Sequence, residues 1–365
     1  MFRKLAVVVS RIYQNSIIKI RSNKGSNPEY VYVANQGSNN ISQYIVSAHG
    51  SLIPLPTATI ATGTTPVYIA ATPSGQYAYV ANQGGNSISQ YKISASGNLE
   101  LIAAPITAGT SPVEIAIAPS GRFAYVANSS SNDISQYCIG DNGVLSAMIP
   151  ATVGTGMIPV AIVVDPSGRY VYVVNNSGNN ISQYTITDNG SLQAMTPATI
   201  AAGSAPRSIA ADPAGKYVYV VNRSSGDVSQ YAISPNGCLA PVSTPVAAGK
   251  HPIFISIAPS GKQAYVANQN SNSVSQYTLA ENGRLLPMTA ATVDCAVTPV
   301  CVAVAHSGKY AYVTNISSNN VSQYAIGGEG GLVPIPVNTW GKATIAAEVS
   351  PRFVLVAGNK TSAAA

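Results

Sequence analysis

Short runs of β-branched and aromatic residues recur along almost the whole chain, and clusters of Gly, Pro, Asn and Ser separate them. Residues 66–107 show the pattern well: the stretches PVYIAA, QYAYVAN, SISQYKIS and NLELIAAPIT are divided by turn-forming residues such as PSG and QGGN. Such runs bounded by turn residues predict β-strands, and no segment shows the 3.6-residue period of a helix. We name the four strands of this unit A, B, C and D in chain order.

The unit is repeated, and the tripeptide Ser-Gln-Tyr marks strand C of each copy. Successive copies are spaced by 47, 46, 47, 47, 46 and 47 residues. The seven copies are Ile41–Tyr44, Ile88–Tyr91, Ile134–Tyr137, Ile181–Tyr184, Val228–Tyr231, Val274–Tyr277 and Val321–Tyr324. Four antiparallel strands every ~40–50 residues are typical of a β-propeller blade. The sequence therefore predicts an all-β protein, a single seven-bladed β-propeller over residues 29–357. Residues 1–28 are expected to form a tail or a degraded leader, and residues 358–365 a C-terminal tail.

Closure of the ring can also be predicted. The first repeat starts directly at a strand B, EYVYVAN, with no convincing strand A before it. The C-terminal segment GKATIAAEVSPRFVLVAG aligns without gaps to PVYIAATPSGQYAYVAN, so a C-terminal strand, Thr344–Val349, is expected to supply the missing inner strand. Phe353–Ala357 then duplicates the role of Tyr30–Ala34, and the sequence does not decide between the two.

The repeated Ser-Gln-Tyr motif predicts architecture rather than chemistry, because a reactive site needs one arrangement of unlike groups. Both faces of a propeller blade pack on neighbouring blades, so the tyrosine ring should be buried, contributing ~1.5–3 kcal/mol per copy. The Ser and Gln should bond each other or loop backbone, as buried polar groups must. The Asn of each YVAN-like segment is expected to end strand B in an Asx turn or a left-handed conformation.

Composition narrows the function classes. Only 9% of the residues are charged, and the net charge of +6 comes from 19 basic and 13 acidic residues scattered along the chain. No basic stripe with interleaved aromatics indicates nucleic-acid binding. No apolar run reaches the ~18 residues of a membrane span. No phosphate loop, metal-ligand spacing or Ser-His-Asp order is found, so no cofactor and no metal are expected. The weakly charged, Ser/Thr/Asn-rich surface favours a secreted, periplasmic or cell-surface location over the cytoplasm.

The four cysteines do not form a disulfide framework in a chain of this length. Cys138 and Cys238 are far apart in the sequence and are expected to pack as small apolar residues. Cys295 and Cys301 are close enough to pair across a turn, but unpaired packing cysteines are the preferred interpretation.

Function is expected where the repeats differ. Two residues after its leading Pro, strand A carries a different side chain in each copy: Tyr68, Glu114, Ala161, Ser208, Phe254 and Cys301, with Thr344 in the predicted closing strand. Strand A lines the central channel of a propeller, and this position lies near one mouth. Arg207, Lys250 and His251 also differ from the residues at the equivalent positions of the other repeats. A small anionic molecule could be held by Glu114, Arg207, Lys250 and His251, with Tyr68 and Phe254 forming the walls of the site. The alternative is that the mouth of the channel is solvated and tolerates any residue.

The segments YVANQGGNSISQY, YVVNRSSGDVSQY and YVTNISSNNVSQY, each preceded by a Pro-Ser-Gly-like turn, resemble two related families. One is the YVTN-repeat propellers of surface-layer and secreted microbial proteins. The other is the seven-bladed lactonase family, which includes 6-phosphogluconolactonase and carboxymuconate cycloisomerase. The resemblance covers residues ~30–357 and implies the propeller fold.

The resemblance to the lactonases is incomplete at the segments that look functional in that family. Val160 and Ala161 stand in one histidine region, Ser208 replaces a second histidine, and Arg223 replaces a glutamate, whereas Arg207 is kept. The sequence therefore favours a non-enzymatic module that binds a small anion, a glycan or a protein at one face. The alternatives are a lactonase, with Arg207 and Glu114 orienting a sugar lactone, and a structural surface or secreted protein.

Overall fold

A computed structural model describes residues 28–336 and 343–358, and these residues form seven antiparallel sheets arranged in a ring. The inner strands A are Pro351–Gly358 in blade 1, then Pro66–Ala71, Pro112–Ile117, Pro159–Val164, Pro206–Ala211, Pro252–Ile257 and Pro299–Val304. The strands B are Glu29–Asn35, Tyr77–Asn82, Phe123–Asn128, Tyr170–Asn175, Tyr217–Asn222, Gln263–Asn268 and Tyr310–Asn315. The all-β, seven-bladed propeller predicted from the sequence is confirmed.

The outer half of each blade follows the same order. The strands C are Asn40–Val46, Ser87–Ile93, Asp133–Ile139, Asn180–Ile186, Asp227–Ile233, Ser273–Leu279 and Asn320–Ile326. The strands D are Leu52–Ala61, Leu99–Thr107, Leu145–Gly154, Leu192–Ala201, Leu239–Pro241 with Val246–Ala247, Leu285–Asp294, and Leu332–Pro334 with Thr344–Ala346. Strand D is thus in two parts in blades 5 and 7.

The ring closes through the C-terminal strand Pro351–Gly358, which pairs antiparallel with the first strand, Glu29–Asn35. Closure by a C-terminal strand is confirmed, but the assignment of Thr344–Val349 to this role is wrong. Thr344–Ala346 instead pairs with strand C of blade 7, Val321 facing Ile345, and so forms the outer edge of that blade. The error has a simple origin: the short run Thr344–Ala346 resembles the inner strand Pro66–Ala71 in sequence, and an alignment does not show which strand a segment pairs with.

Each Ser-Gln-Tyr motif binds neighbouring blades together. The Gln43 amide donates to Thr57 O of its own strand D at 2.8 Å and accepts from Leu99 N of the next strand D at 2.7 Å. The Tyr91 hydroxyl donates to Ala61 O, at the end of the preceding strand D, at 2.8 Å. The tyrosine bond to the preceding blade occurs in all seven copies. The motif is architectural, and its glutamine bonds strand D rather than the serine beside it.

The serine of the motif has a different partner, the asparagine that ends strand B. Asn35 Nδ2 donates to Ser42 Oγ at 2.9 Å, and the same bond recurs in all seven blades. The left-handed residue of this turn comes four positions after the asparagine, at Asn39 in blade 1. The asparagine therefore fastens strand B to strand C, and the expected left-handed conformation belongs to a later residue.

The remaining predictions about the chain have mixed outcomes. All four cysteines are free, as preferred from the sequence, and Cys301 is buried against strand A of blade 1. Among residues 28–336 and 343–358 there is no helix that could cross a membrane. The predicted tails 1–28 and 358–365 fall almost entirely outside the described residues.

We predict that Gln183→Leu destabilises the propeller. Gln183 donates to Pro197 O at 3.0 Å and accepts from Leu239 N at 2.7 Å, so the substitution leaves a buried N–H and a partly buried carbonyl without this partner. The expected loss in the free energy of unfolding is ~2–4 kcal/mol, measured by urea denaturation. The exposed Gln193→Leu is the matched control and should change stability by less than ~0.5 kcal/mol. Equal effects of the two substitutions would contradict the bridging role.

Candidate functional site at the channel mouth

A residue with a strained backbone precedes every strand A, and its hydrogen bond determines which residues surround one mouth of the channel. The residue before the leading Pro has a positive φ of 50–62° in all seven blades although it is not glycine. These residues are Thr65, Ser111, Ile158, Ala205, His251, Thr298 and Ser350. The carbonyl of each accepts, at 2.9–3.0 Å, the N–H of the residue that follows a strand B. The bond brings two sets of variable residues together: those just after the Pro of strand A and those just after the Asn of strand B.

Two adjoining cavities open at this mouth, with volumes of about 60 and about 370 Å³. We call them together the mouth cavity. The residues that line both are Gln83, Val113, Val160, Arg207, Ile253 and Arg352. The smaller cavity is completed by strand A residues, including Glu114 and Tyr68, and the larger by residues that follow strands B, including Arg223 and Gln269.

Three arginines give the mouth cavity its charge. Arg207 and Arg352 follow the leading Pro of strand A in blades 5 and 1, and Arg223 follows strand B of blade 5. Burial, together with the nearby charges of Arg352 and Arg223, lowers the pKa of Arg207 to about 10, and the charge of Glu114 offsets only part of this decrease. Burial likewise lowers the pKa of Arg352, and Arg223 adds to the effect. Each of the three side chains carries a cationic guanidinium group, so the cavity attracts an anion.

Glu114 is the carboxylate of the mouth cavity and is only 8% exposed. Burial raises its pKa to about 8, while a hydrogen bond from the Tyr68 hydroxyl and the charge of Arg207 oppose that rise. Desolvation thus outweighs both favourable contacts, and Glu114 is largely protonated at neutral pH. A carboxyl group with a pKa near the working pH, beside a cation and in a cavity, has the properties of a general acid or base.

Aromatic rings form one wall of the smaller cavity. Phe353 of blade 1 lies between Tyr68 and Phe254, with ring centroids 3.9 Å and 5.5 Å apart. The second pair meets edge to face at 75°. Burial also raises the pKa of the Tyr68 hydroxyl well above its ordinary value, so it stays protonated and donates to Glu114. The wall excludes water beside the carboxyl group, which accounts for its desolvation.

The structure brings together four of the six candidate residues and separates the other two. Tyr68, Glu114, Arg207 and Phe254 all line the mouth cavity. Lys250 and His251 line a different cavity, between blades 5 and 6. They belong to the loop before strand A, and their side chains lie outside the channel.

Sequence reasoning missed Arg352, Arg223 and Phe353. Arg352 and Phe353 follow Pro351 as Arg207 and Ser208 follow Pro206, but the misplaced closing strand put Thr344 in that column. Arg223 is the charged exception among the residues that follow strand B: Gln36, Gln83, Ser129, Asn176, Arg223, Gln269 and Ile316. The sequence alone does not show that the position after strand B reaches the mouth cavity.

Comparison with known proteins agrees with this architecture. A sequence model of the lactonase family with a seven-bladed β-propeller matches residues 55–157, 144–255 and 251–339, which together span most of the chain. No curated protein matches the sequence. The fold is that of a propeller with a polar site at its channel, and the chain belongs to the seven-bladed β-propeller lactonase family.

Solved structures give the same fold at low sequence identity. A protein from Bacteroides fragilis, described as a candidate 6-phosphogluconolactonase, is 20% identical with a TM-score of 0.78, covering 92% of this chain and 99% of its own. A similar candidate from Bacteroides uniformis is 22% identical with a TM-score of 0.78, covering 91% and 100%. The periplasmic gluconolactonase PpgL of Pseudomonas aeruginosa is 20% identical with a TM-score of 0.77, covering 91% and 100%.

Family membership overturns the prediction of a non-enzymatic binding module, and the lactonase alternative fits better. The prediction was wrong because it sought the reactive groups at the histidine positions of blades 4 and 5. Those positions hold Val160, Ala161 and Ser208, and the Ser208 hydroxyl is buried and accepts from Ile255 N at 3.3 Å. The carboxyl group and the arginines of the mouth come instead from blades 1, 3 and 5.

We predict that Glu114 makes folding stability pH-dependent. Its pKa of about 8 in the folded state lies above the ordinary 4.5, so between these values the folded protein binds the proton more tightly than the unfolded chain. Stability is therefore full below the lower value and falls as pH rises toward the higher one, by at most ~1.4 kcal/mol per pH unit. Relative to Glu114→Gln, the wild-type Tm should fall progressively between pH ~5 and ~8 and then level off. A constant difference between the two proteins across this range would contradict the raised pKa.

Proposed function

We propose that the protein is a lactonase that hydrolyses a sugar lactone carrying an anionic group, such as 6-phosphogluconolactone, in the mouth cavity. The observation that carries the proposal is the meeting of three arginines with one buried, mostly protonated carboxyl group in a cavity of the channel. Family membership supports the reaction class, and the structural neighbours described as 6-phosphogluconolactonase candidates and as a gluconolactonase support the substrate class.

The cavity suits such a substrate in size and charge. Its larger part, about 370 Å³, is within the ordinary range for pockets that bind small molecules. The charges of Arg352 and Arg223 lower the pKa of Arg207, and the charge of Arg223 lowers that of Arg352, so like charges repel in the cavity. A phosphate or carboxylate placed among them offsets that repulsion. A neutral lactone would gain none of this stabilisation, so binding should favour the anionic substrate.

The residues have distinct roles in the proposed reaction. Arg207, whose charge acts on Glu114, stabilises the oxyanion that forms when water attacks the lactone carbonyl. Arg223 and Arg352 hold the anionic group of the substrate. Glu114 in its ionised form takes a proton from the attacking water, and Tyr68 holds the carboxyl group in position.

The step balances without any further reactant. The water oxygen bonds to the carbonyl carbon, the ring C–O bond breaks, and the proton held by Glu114 passes to the ring oxygen as it leaves. The product is a hydroxy acid, which loses its new acidic proton to solvent. Glu114 is returned to its ionised form.

We predict measurable turnover of 6-phosphogluconolactone above the spontaneous rate. Arg207→Ala should lower kcat/KM by ~10²–10³-fold, because it removes one stabilising group of the oxyanion. Glu114→Gln should lower it by ~10²–10⁴-fold, because it removes the base. Arg284→Ala is the matched control, since Arg284 is exposed on a turn of blade 6, and should leave kcat/KM unchanged. No turnover by the wild type, or equal losses in all three variants, would refute the proposal.

We also predict the direction of the pH dependence. Since the ionised form of Glu114 is the base and its pKa is about 8, kcat/KM corrected for spontaneous hydrolysis should rise with pH through about 8. The pH profile of Glu114→Gln should lack this rise. A wild-type rate that falls over the same range would show that Glu114 acts in its protonated form and would exclude the assigned role.

A further inference from the structure

The junction between blades 5 and 6 differs from the six other junctions at one residue. Elsewhere, an asparagine four residues after the end of strand B accepts a hydrogen bond, at 2.7–2.9 Å, from the N–H of the strained residue before the next strand A. These asparagines are Asn39, Asn86, Asn132, Asn179, Asn272 and Asn319. Blade 5 has Gly226 in this place, and the corresponding N–H belongs to His251.

Gly226 keeps the conformation of the asparagines but not their side chain. Its φ is +72°, in the same left-handed region as their 47–56°. A Cβ built at Gly226 would meet nothing nearer than Gly249 O at 3.9 Å, so there is room for a side chain. The backbone N–H of His251 therefore faces a space that, in every other blade, contains a carboxamide oxygen.

That space opens into a cavity of about 640 Å³ with a cationic lining. We call it the blade 5–6 pocket. The lining contains the ammonium group of Lys250, the guanidinium group of Arg223, the imidazole of His251 and the carboxylate of Asp294. Ser271 is also part of the lining, and its hydroxyl accepts from Lys250 N at 3.2 Å. Among the lining residues, two cationic side chains thus stand against one carboxylate, so the charge of the pocket favours an anion.

Arg223 provides a second, independent indication. Its Nη2 donates to Gln269 Oε1 at 3.3 Å. This acceptor is a neutral amide oxygen, so the positive charge of the guanidinium group is available to an anionic ligand in the pocket. Arg223 lines both the mouth cavity and the blade 5–6 pocket, and it therefore joins the two.

We propose that the blade 5–6 pocket is a second anion site, which binds a phosphate group. One phosphate oxygen takes the place of the missing carboxamide oxygen and accepts from His251 N, while Lys250 and Arg223 balance the charge. The site does not depend on the lactonase activity proposed above. The phosphate can be inorganic phosphate or the phosphate of a monoester that also reaches the mouth cavity.

The test is the restoration of the asparagine. Gly226→Asn should fold, because six other blades hold Asn in this conformation, and its carboxamide should occupy the phosphate position. Titration of inorganic phosphate at constant ionic strength should shift the ¹⁵N–¹H NMR resonance of His251 in the wild type. The apparent affinity at that amide should be at least ~10-fold weaker in Gly226→Asn and several-fold weaker in Lys250→Gln. No saturable shift at His251 in the wild type with either inorganic phosphate or a phosphate monoester, or an equal affinity in Gly226→Asn, overturns the proposal.

A reverse substitution and a second probe complete the design. Asn272→Gly removes the same carboxamide before Thr298, but the neutral Val297 stands in place of Lys250. Thr298 N–H should show no phosphate-dependent shift, and binding there as tight as at His251 would contradict the role of the cations. 6-Phosphogluconate distinguishes the sources: joint shifts at His251 and Arg223 with this probe alone support a monoester, and shifts with inorganic phosphate at His251 support the free ion.

Discussion

The glutamine of the Ser-Gln-Tyr motif is the contact on which the ring depends. One side chain bonds strand D of its own blade and the first N–H of strand D in the next blade, as Gln43 does with Thr57 and Leu99. The last junction is made in the same way, since Gln323 accepts from Leu52 N at 2.7 Å. Both partners are backbone groups, so the contact places no demand on the side chains of strand D and can be repeated around the ring.

A ring held together by repeated buried contacts leaves the channel mouth free to vary. The chain is poor in charge, with 9% charged residues, yet three arginines and a buried glutamate meet there. Each differs from the residue that most other blades have at the equivalent position. None of them makes one of the hydrogen bonds between blades that recur around the ring. The strained residue before each strand A brings the residues just after the leading Pro and those just after strand B around one cavity. The arginines and the glutamate of the channel mouth therefore come from positions that the repeated interblade contacts do not use.

The blade 5–6 pocket follows the same principle in another place. A single change from Asn to Gly at residue 226 removes a bond that the other junctions retain, and cationic residues stand beside the gap. Because Arg223 lines both cavities, an anion in one site changes the electrostatic potential in the other. The loss of one repeated contact is tolerated because the Gln230 and Tyr277 contacts across the same junction remain.

The number of blades, the order of strands and the architectural role of the repeated motif could all be predicted from the sequence. These features follow from a local period and from turn residues. The sequence also predicted Tyr68, Glu114, Arg207 and Phe254 as candidate site residues, because each differs from the residues at the equivalent positions of other repeats. Only the tertiary structure showed that Pro351–Gly358 closes the ring, because the alignment placed Thr344–Val349 on strand A and Phe353–Ala357 on strand B, and hydrogen-bonded pairing was needed to correct both assignments. It likewise added Arg223 and Arg352 to the site and moved Lys250 and His251 out of it. Which side chains share a cavity depends on how seven blades curve around one axis, and that is not encoded in any single repeat.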